Sequence, residues 1–409
     1  MLFEDVIGQK DVKEKLIHGV QKNMVSHAQL FVGDSGYGSL VLAIAFAQYI
    51  LCENKKDNDS CGVCPSCIKT HELQHPDLHF SFPTVQSISK VSNPFLENWR
   101  EQIKTTPYFS LFDWIKKIDD KERNPILSVD ESKEIQNKLK LKSYEGGYKI
   151  MIIWMPEAMN AFCANKILKI LEEPPEKTLF ILVTQEADKL LDTITSRCQT
   201  LHINRISDSS LKSYLIHNFD LSTEASDSIA SFSEGNLIKA HEVLNLNDDE
   251  ESLSDHFINL MRSSYKKNVI EMMNWADEIA QKGKERQKIF LLYCTHMLRQ
   301  CIINNYVGAE NLKVSETELN FIEKFSPFVN GNNIRESYKI SHPIGTIITY
   351  QHSGKTEAGK PRFPRYLRIR DDIVLKDNVI TSEKKNLIIK IFTEIMEHEY
   401  AQGEKFKGN

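Results

Sequence analysis

Gln29-Leu30-Phe31-Val32-Gly33-Asp34-Ser35-Gly36-Tyr37-Gly38-Ser39-Leu40 reads as an apolar strand, a glycine-rich turn and the start of a helix. Gly33, Gly36 and Gly38 stand where a phosphate-binding loop places its glycines. In such a loop, backbone N–H groups and the positive end of the following helix hold the phosphates. The groups that carry the chemistry are missing. A working loop needs Lys after the last glycine to reach the β/γ-phosphates, then Ser or Thr for Mg²⁺; Ser39 and Leu40 fill those places. A helix-capping turn with no nucleotide history is the plainer alternative. Three glycines between a strand and an apolar helix favour a decayed nucleotide site, in which ATP binding is not expected.

Around this loop the pattern is α/β. Apolar residues at Val12, Leu16, Ile17 and Val20 recur at helical spacing, and the helix from Ser39 to about Cys52 is apolar nearly all round, as suits a helix packed on a sheet. The run Lys149 to Trp154 predicts a central parallel strand. In an ATPase of this shape the strand would end in acidic residues that bind Mg²⁺ and position water. Here Met155 holds that place and Glu157 arrives about two residues late. A helix over about 161–172, stopped by Pro174-Pro175, a strand over 179–183 ending at Thr184-Gln185 and a strand near 200–203 complete a doubly wound parallel sheet. From Ser207 the pattern changes to short helices, read as a lid over 206–248. After the acidic break 247–251, longer amphipathic helices predict a collar or oligomerisation bundle over 249–339.

Cys52, Cys61, Cys64 and Cys67 form a C-x8-C-x2-C-x2-C array, four of the eight cysteines in the chain. Short spacings let thiolates converge on one ion, and four sulfurs satisfy tetrahedral zinc with no position left for a reacting water, so the metal would be structural. Two disulfides or a redox C-x-x-C are the alternatives, the first disfavoured in a reducing compartment and the second leaving two cysteines unexplained. His71, His75 and His79 lie nearby; one could be a ligand, but loop roles suffice. Residues 85–124 read as an aromatic-rich insertion, a surface subdomain or partner-binding lobe, containing Trp99, Tyr108, Phe109, Phe112 and Trp114.

With 409 residues, 41% hydrophobic, 26% charged and a formal net charge of -5, the composition is that of an ordinary globular protein of two to four domains. It supplies no overall attraction to nucleic acid. No apolar run reaches the roughly 18 residues of a membrane span, and no secretory signal is visible at Met1-Leu2-Phe3-Glu4-Asp5, which sets the cytoplasm as the expected location and no membrane as a partner.

Several motifs fall in one order: Ile7-Gly8-Gln9, His27-Ala28-Gln29-Leu30-Phe31, the four cysteines, Leu171-Glu172-Glu173-Pro174-Pro175 and Ser196-Arg197-Cys198. Together they resemble the bacterial DNA polymerase III clamp-loader subunits, AAA+ proteins, from Met1 to about Arg335. The resemblance implies an AAA+ domain over 1–205 carrying the zinc module at 52–67, followed by the lid and collar. The loss of the loop lysine and the acids is similar to the delta-prime branch rather than the ATP-hydrolysing gamma/tau branch. The resemblance implies a stator without ATPase activity of its own, working with gamma/tau and delta to load the sliding clamp on primer-template DNA. It also implies that Arg197, flanked by Ser196 and Cys198, is an arginine finger acting on the ATP of a neighbouring subunit; a surface arginine beside a strand is the plainer alternative. In the stretch 235–239, where active relatives carry a sensor arginine, this chain has Lys239.

The tail, 340–409, turns β-like and basic. Its stretch from Gly359 to Asp371 resembles the closing strands of an ATP-dependent DNA ligase OB-fold, although no Lys-x-Asp-Gly motif occurs in the chain. A solvated strand pair, a fusion product or a nucleic-acid contact all fit. An ATP-hydrolysing subunit and a zinc-bearing DNA-binding scaffold are the alternative functions.

Overall fold

The computed structural model describes residues 1–121, 123–244, 253–266, 268–281, 284–312, 314, 316–329, 348–351 and 365–369. The acidic break and the tail apart from two short strands, including most of 359–371, lie outside these. The chain divides into two compact units, Met1–Asp248 and Asp249–Asn409.

The first unit is an α/β core built on one parallel sheet. Its elements run α1 (Lys10–Gln21), β1 (Ala28–Val32), α2 (Ser39–Leu51), α3 (Pro65–His71), β2 (Leu78–Ser81), α4 (Leu96–Thr105) and α5 (Leu111–Ile118). They continue α6 (Val129–Lys140), β3 (Lys149–Trp154), α7 (Ala161–Glu172), β4 (Thr178–Thr184), α8 (Asp192–Thr195) and β5 (Gln199–His202). The five strands lie in the order β2-β3-β4-β1-β5, and every pairing is parallel. β1 sits between β4 and β5, with Leu30 opposite Leu182 on one side and Thr200 on the other. The apolar runs Lys149–Trp154 and Thr178–Thr184 are buried along their whole length, as central parallel strands covered on both faces must be. Ala28, Leu30, Met151, Ile153, Phe180 and Leu182 form one core with Ile135, Ile167 and Leu171 of α6 and α7; each of the larger of these buried side chains is worth about 1.5–3 kcal/mol.

Two features escape the periodicity. β2 is only four residues, Leu-His-Phe-Ser, too short and too mixed to register as a strand. The insertion forms two helices, α4 and α5, the second opened by a capping box in which Ser110 and Asp113 exchange bonds. Its aromatic residues turn inward: Trp99 and Trp114 are fully buried, and their indoles meet edge to face at 5.1 Å. Of the aromatics named from the sequence, only Phe112 is exposed.

Helices α9 (Asp208–Phe219), α10 (Thr223–Ser233) and α11 (Leu237–Leu244) close the first unit. Each of α9 and α10 starts on a serine whose hydroxyl accepts a first-turn N–H. The second unit holds α12 (Leu253–Tyr265), α13 (Val269–Gln281), α14 (Lys284–Tyr306) and α15 (Glu316–Phe325). Phe257, Trp275, Phe290 and Met297 are among its buried residues, and the Trp275 indole donates to the carbonyl of His256 at 3.1 Å. β6 (Ile348–Gln351) and β7 (Arg365–Ile369) pair antiparallel with an irregularity at Thr349/Tyr350. Among the described residues no helix is long and apolar enough to cross a membrane.

Candidate functional site

The glycine loop connects β1 to α2 as the sequence predicts. Its amides are turned onto the chain's own acceptors. Gly33 N–H donates to the Thr184 carbonyl at 3.0 Å, Tyr37 to Asp34 at 3.0 Å and Gly38 to Ser35 at 3.3 Å. The Asp34 carboxylate accepts from the Gly36 amide at 2.9 Å and from the Asn236 side chain at 2.8 Å. An anion-binding loop offers free N–H groups to its ligand; this one presents a carboxylate already in possession. Gly38 has φ 88°, a left-handed conformation that favours glycine. At Gly36 a Cβ would lie 1.8 Å from Asn236 Oδ1, so only glycine admits Asn236, just before α11, this close. Ser39, in the lysine position, is buried, and its hydroxyl has no partner among the described residues.

The positions where the sequence leads one to look for acidic and sensor groups make contacts within the chain. Met155 follows β3 with φ 54° and is buried, so the acidic position is a hydrophobic turn. Glu157 turns its carboxylate to the end of β4, accepting from the Thr184 hydroxyl at 2.8 Å and the Gln185 amide at 3.0 Å. Gln185 in turn bonds the Ser35 hydroxyl. Gln9, left-handed at φ 57°, ties the loop to the β5 exit through the carbonyls of Tyr37 at 3.1 Å and Asn204 at 2.5 Å. Pattern reasoning assigned Gln9 and Asn236 no task; both act across 28 or more residues of chain, which periodicity does not report.

Arg197 leaves the short helix α8 with its guanidinium about one-third exposed. It donates to the Thr193 carbonyl at 2.8 Å and pairs with Glu172, at the end of α7, at 2.6 Å. The Ser196 hydroxyl caps α8 through the same Thr193 carbonyl at 3.2 Å. Cys198 packs on the sheet core, and burial pushes its thiol up to about 11, which keeps it protonated and inert.

The four cysteine sulfurs converge to within 4.8 Å of one another, a set that could hold a metal ion. Cys52 caps α2 and Cys64 opens α3; Gly62, at φ 77°, makes the tight turn between Cys61 and Cys64. The sulfurs are already arranged as acceptors: Cys52 from the Cys61 amide at 3.3 Å, Cys61 from Cys64 at 3.3 Å and Cys64 from Cys67 at 3.4 Å. The Val63 and Cys64 amides lower the Cys61 thiol to about 6, whereas burial raises Cys52 and Cys67. Among the described residues no histidine joins the set. His75 is buried and bonded to Glu145 at 2.9 Å, and His79 lies on β2.

A family model described as DNA polymerase III, delta subunit matches residues 8–207, and one described as DNA ligase OB-like domain matches 331–370. The DNA polymerase III subunit tau of Bacillus subtilis (strain 168) is 27% identical over 342 residues, 77% of this chain and 53% of that protein. The delta' subunit of the same organism is 29% identical over 208 residues, 51% of each chain. The delta' subunit of Escherichia coli (strain K12) is 30% identical over 188 residues, 46% of this chain and 45% of that protein. The chain spans about half the length of these curated relatives.

Proposed function

We propose, from the match of residues 8–207 to the DNA polymerase III delta-subunit family model and the likeness to two delta' subunits, that this chain is a delta-prime-like clamp-loader stator that neither binds nor hydrolyses ATP itself. The observation that carries this reading is the state of the loop. Lysine and Mg²⁺-binding hydroxyl are replaced by a buried Ser39 and by Leu40, and the Asp34 carboxylate takes the Gly36 amide. In this reading the chain assembles in the cytoplasm with gamma/tau and delta subunits and helps place the sliding clamp on primer-template DNA.

Arg197 is its contribution to hydrolysis. A planar guanidinium can spread over the equatorial oxygens of a γ-phosphate in a neighbouring subunit, which a lysine cannot match. To reach across an interface it must leave Glu172. That pair is partly exposed on both sides, so release costs about 0–1 kcal/mol, small against the roughly 10³-fold or greater effect of such fingers. Ser196 and Cys198 hold the turn that aims it.

Zinc is the metal the cysteine set fits. Tetrahedral coordination at about 2.3 Å puts sulfurs about 3.8 Å apart, and Cys61 and Cys67 sulfurs stand 3.9 Å apart. Cys52, Cys61, Cys64 and Cys67 would fill all four positions, so zinc would supply cross-linking of α2 to α3 and no chemistry. Reconstitution with gamma/tau and delta tests the whole reading. Arg197→Ala should lower DNA-stimulated ATPase activity while the subunits still assemble; undiminished hydrolysis would remove the finger.

A further inference from the structure

The insertion's link between α4 and α5, residues 106–110, runs into the glycine loop. Tyr108 and Phe109 at its apex are 5% and 3% exposed. The Tyr108 ring lies against Gly38, where a Cβ would come within 2.9 Å of it. Its hydroxyl accepts the Ile7 amide proton at 3.1 Å, and burial holds that phenol well above its usual range. Phe109 meets Trp154 at the end of β3 at a tilt, with ring centroids 5.1 Å apart, and Trp99 edge to face at 5.6 Å. Together with Pro107, Ser39 and Gln185, Phe109 lines what is left of the space beside the loop, about 10 Å³. That volume admits one water, whereas ligand pockets run to about 300 Å³ or more.

The apex is braced on every side. The Thr106 amide ends α4 on the Gln102 carbonyl at 2.8 Å, the Ser110/Asp113 capping box begins α5, and the Trp114 indole donates to the Pro83 carbonyl at 2.9 Å. An apolar pair held rigidly over the N-terminus of a helix meets none of that terminus's electrostatic preference for anions. It does satisfy the hydrophobic wall made by Trp154 and Met155, both buried.

We propose that residues 106–110 are an internal occupant of the glycine loop: Tyr108 and Phe109 fill the groove a nucleoside triphosphate would use and fix the N-terminal segment and the loop without any ligand. The inference rests on reading the loop as a former nucleotide cradle. It does not depend on the loader role, since both tests use the isolated full-length chain.

The first test restores the missing groups. The variant S39K/L40T supplies the lysine and the Mg²⁺-binding hydroxyl, and binding of a fluorescent N-methylanthraniloyl ATP with Mg²⁺ is titrated. We expect no saturable binding by S39K/L40T and recovered binding when Tyr108→Ala and Phe109→Ala are added. Binding by S39K/L40T alone, or none by the folded fourfold variant, would overturn the proposal. The second test keeps the native loop and needs no such rebuilding. Tyr108→Phe retains the ring on Gly38 and removes only the acceptor for Ile7. Amide hydrogen exchange at Ile7 should rise about fivefold, the factor expected for one ordinary hydrogen bond, whereas Phe112→Ala on the exposed face of α5 should leave it unchanged. Equal exchange in native protein and Tyr108→Phe would overturn the proposal.

Discussion

Trp99 and Trp114 form a matched pair for testing how the insertion is held. Both indoles are fully buried in the same cluster, yet the Trp114 N–H donates to Pro83 at 2.9 Å, while the Trp99 N–H has no acceptor among the described residues. Replacing either by Phe removes the same volume, so the cavity contributions nearly cancel between the variants. Trp114→Phe also breaks a buried hydrogen bond and strands a carbonyl, costing about 1–3 kcal/mol, whereas Trp99→Phe removes an unpaired donor and recovers a similar amount. Trp114→Phe should therefore be at least about 2 kcal/mol less stable than Trp99→Phe. Urea unfolding followed by far-ultraviolet circular dichroism, with midpoints compared at equal slope, gives the difference directly. Equal midpoints, or a lower one for Trp99→Phe, would refute the reasoning.

Other consequences are separable. In metal-free protein at pH 7, iodoacetamide should label Cys61 ahead of Cys52 and Cys67, because its thiol is lowered to about 6 while burial raises the other two. Labelling should fall as pH drops below about 6, and added Zn²⁺ should suppress it; peptide mass spectrometry showing even labelling would contradict the assignment. Burial, with Lys138 nearby, lowers His79 from 6.5 to about 4. The unfolded chain therefore binds a proton that the folded chain refuses between those values, so stability falls as pH drops from about 6.5 to about 4. His79→Gln should flatten that limb of the stability–pH curve by at most about 3 kcal/mol; an unchanged limb would locate the proton elsewhere.

Local signals made much of the core legible. The apolar runs at 149–154 and 178–184, the glycines at 33, 36 and 38 and the cysteine spacing over 52–67 each state their structure within one short stretch of chain. What was not legible depends on contacts distant in sequence. Tyr108 meets Ile7 across 101 positions, and Asn236 meets Asp34 across 202; neither residue type announces such a partner. The aromatic insertion reads as a surface lobe because its residues lack a clear period, yet Trp99 and Phe109 gain their places from Trp154 of β3. Arg197 is conspicuous in its motif, but its pairing with Glu172 at 2.6 Å appears only when α7 and α8 are folded against each other.

Calorimetric titration of the unmodified chain with Mg²⁺·ATP bears most directly on the account. A loop that spends its Gly36 amide on Asp34 and its space on Phe109 should give no saturable heat up to millimolar nucleotide. Micromolar, Mg²⁺-dependent binding followed by release of phosphate would contradict it.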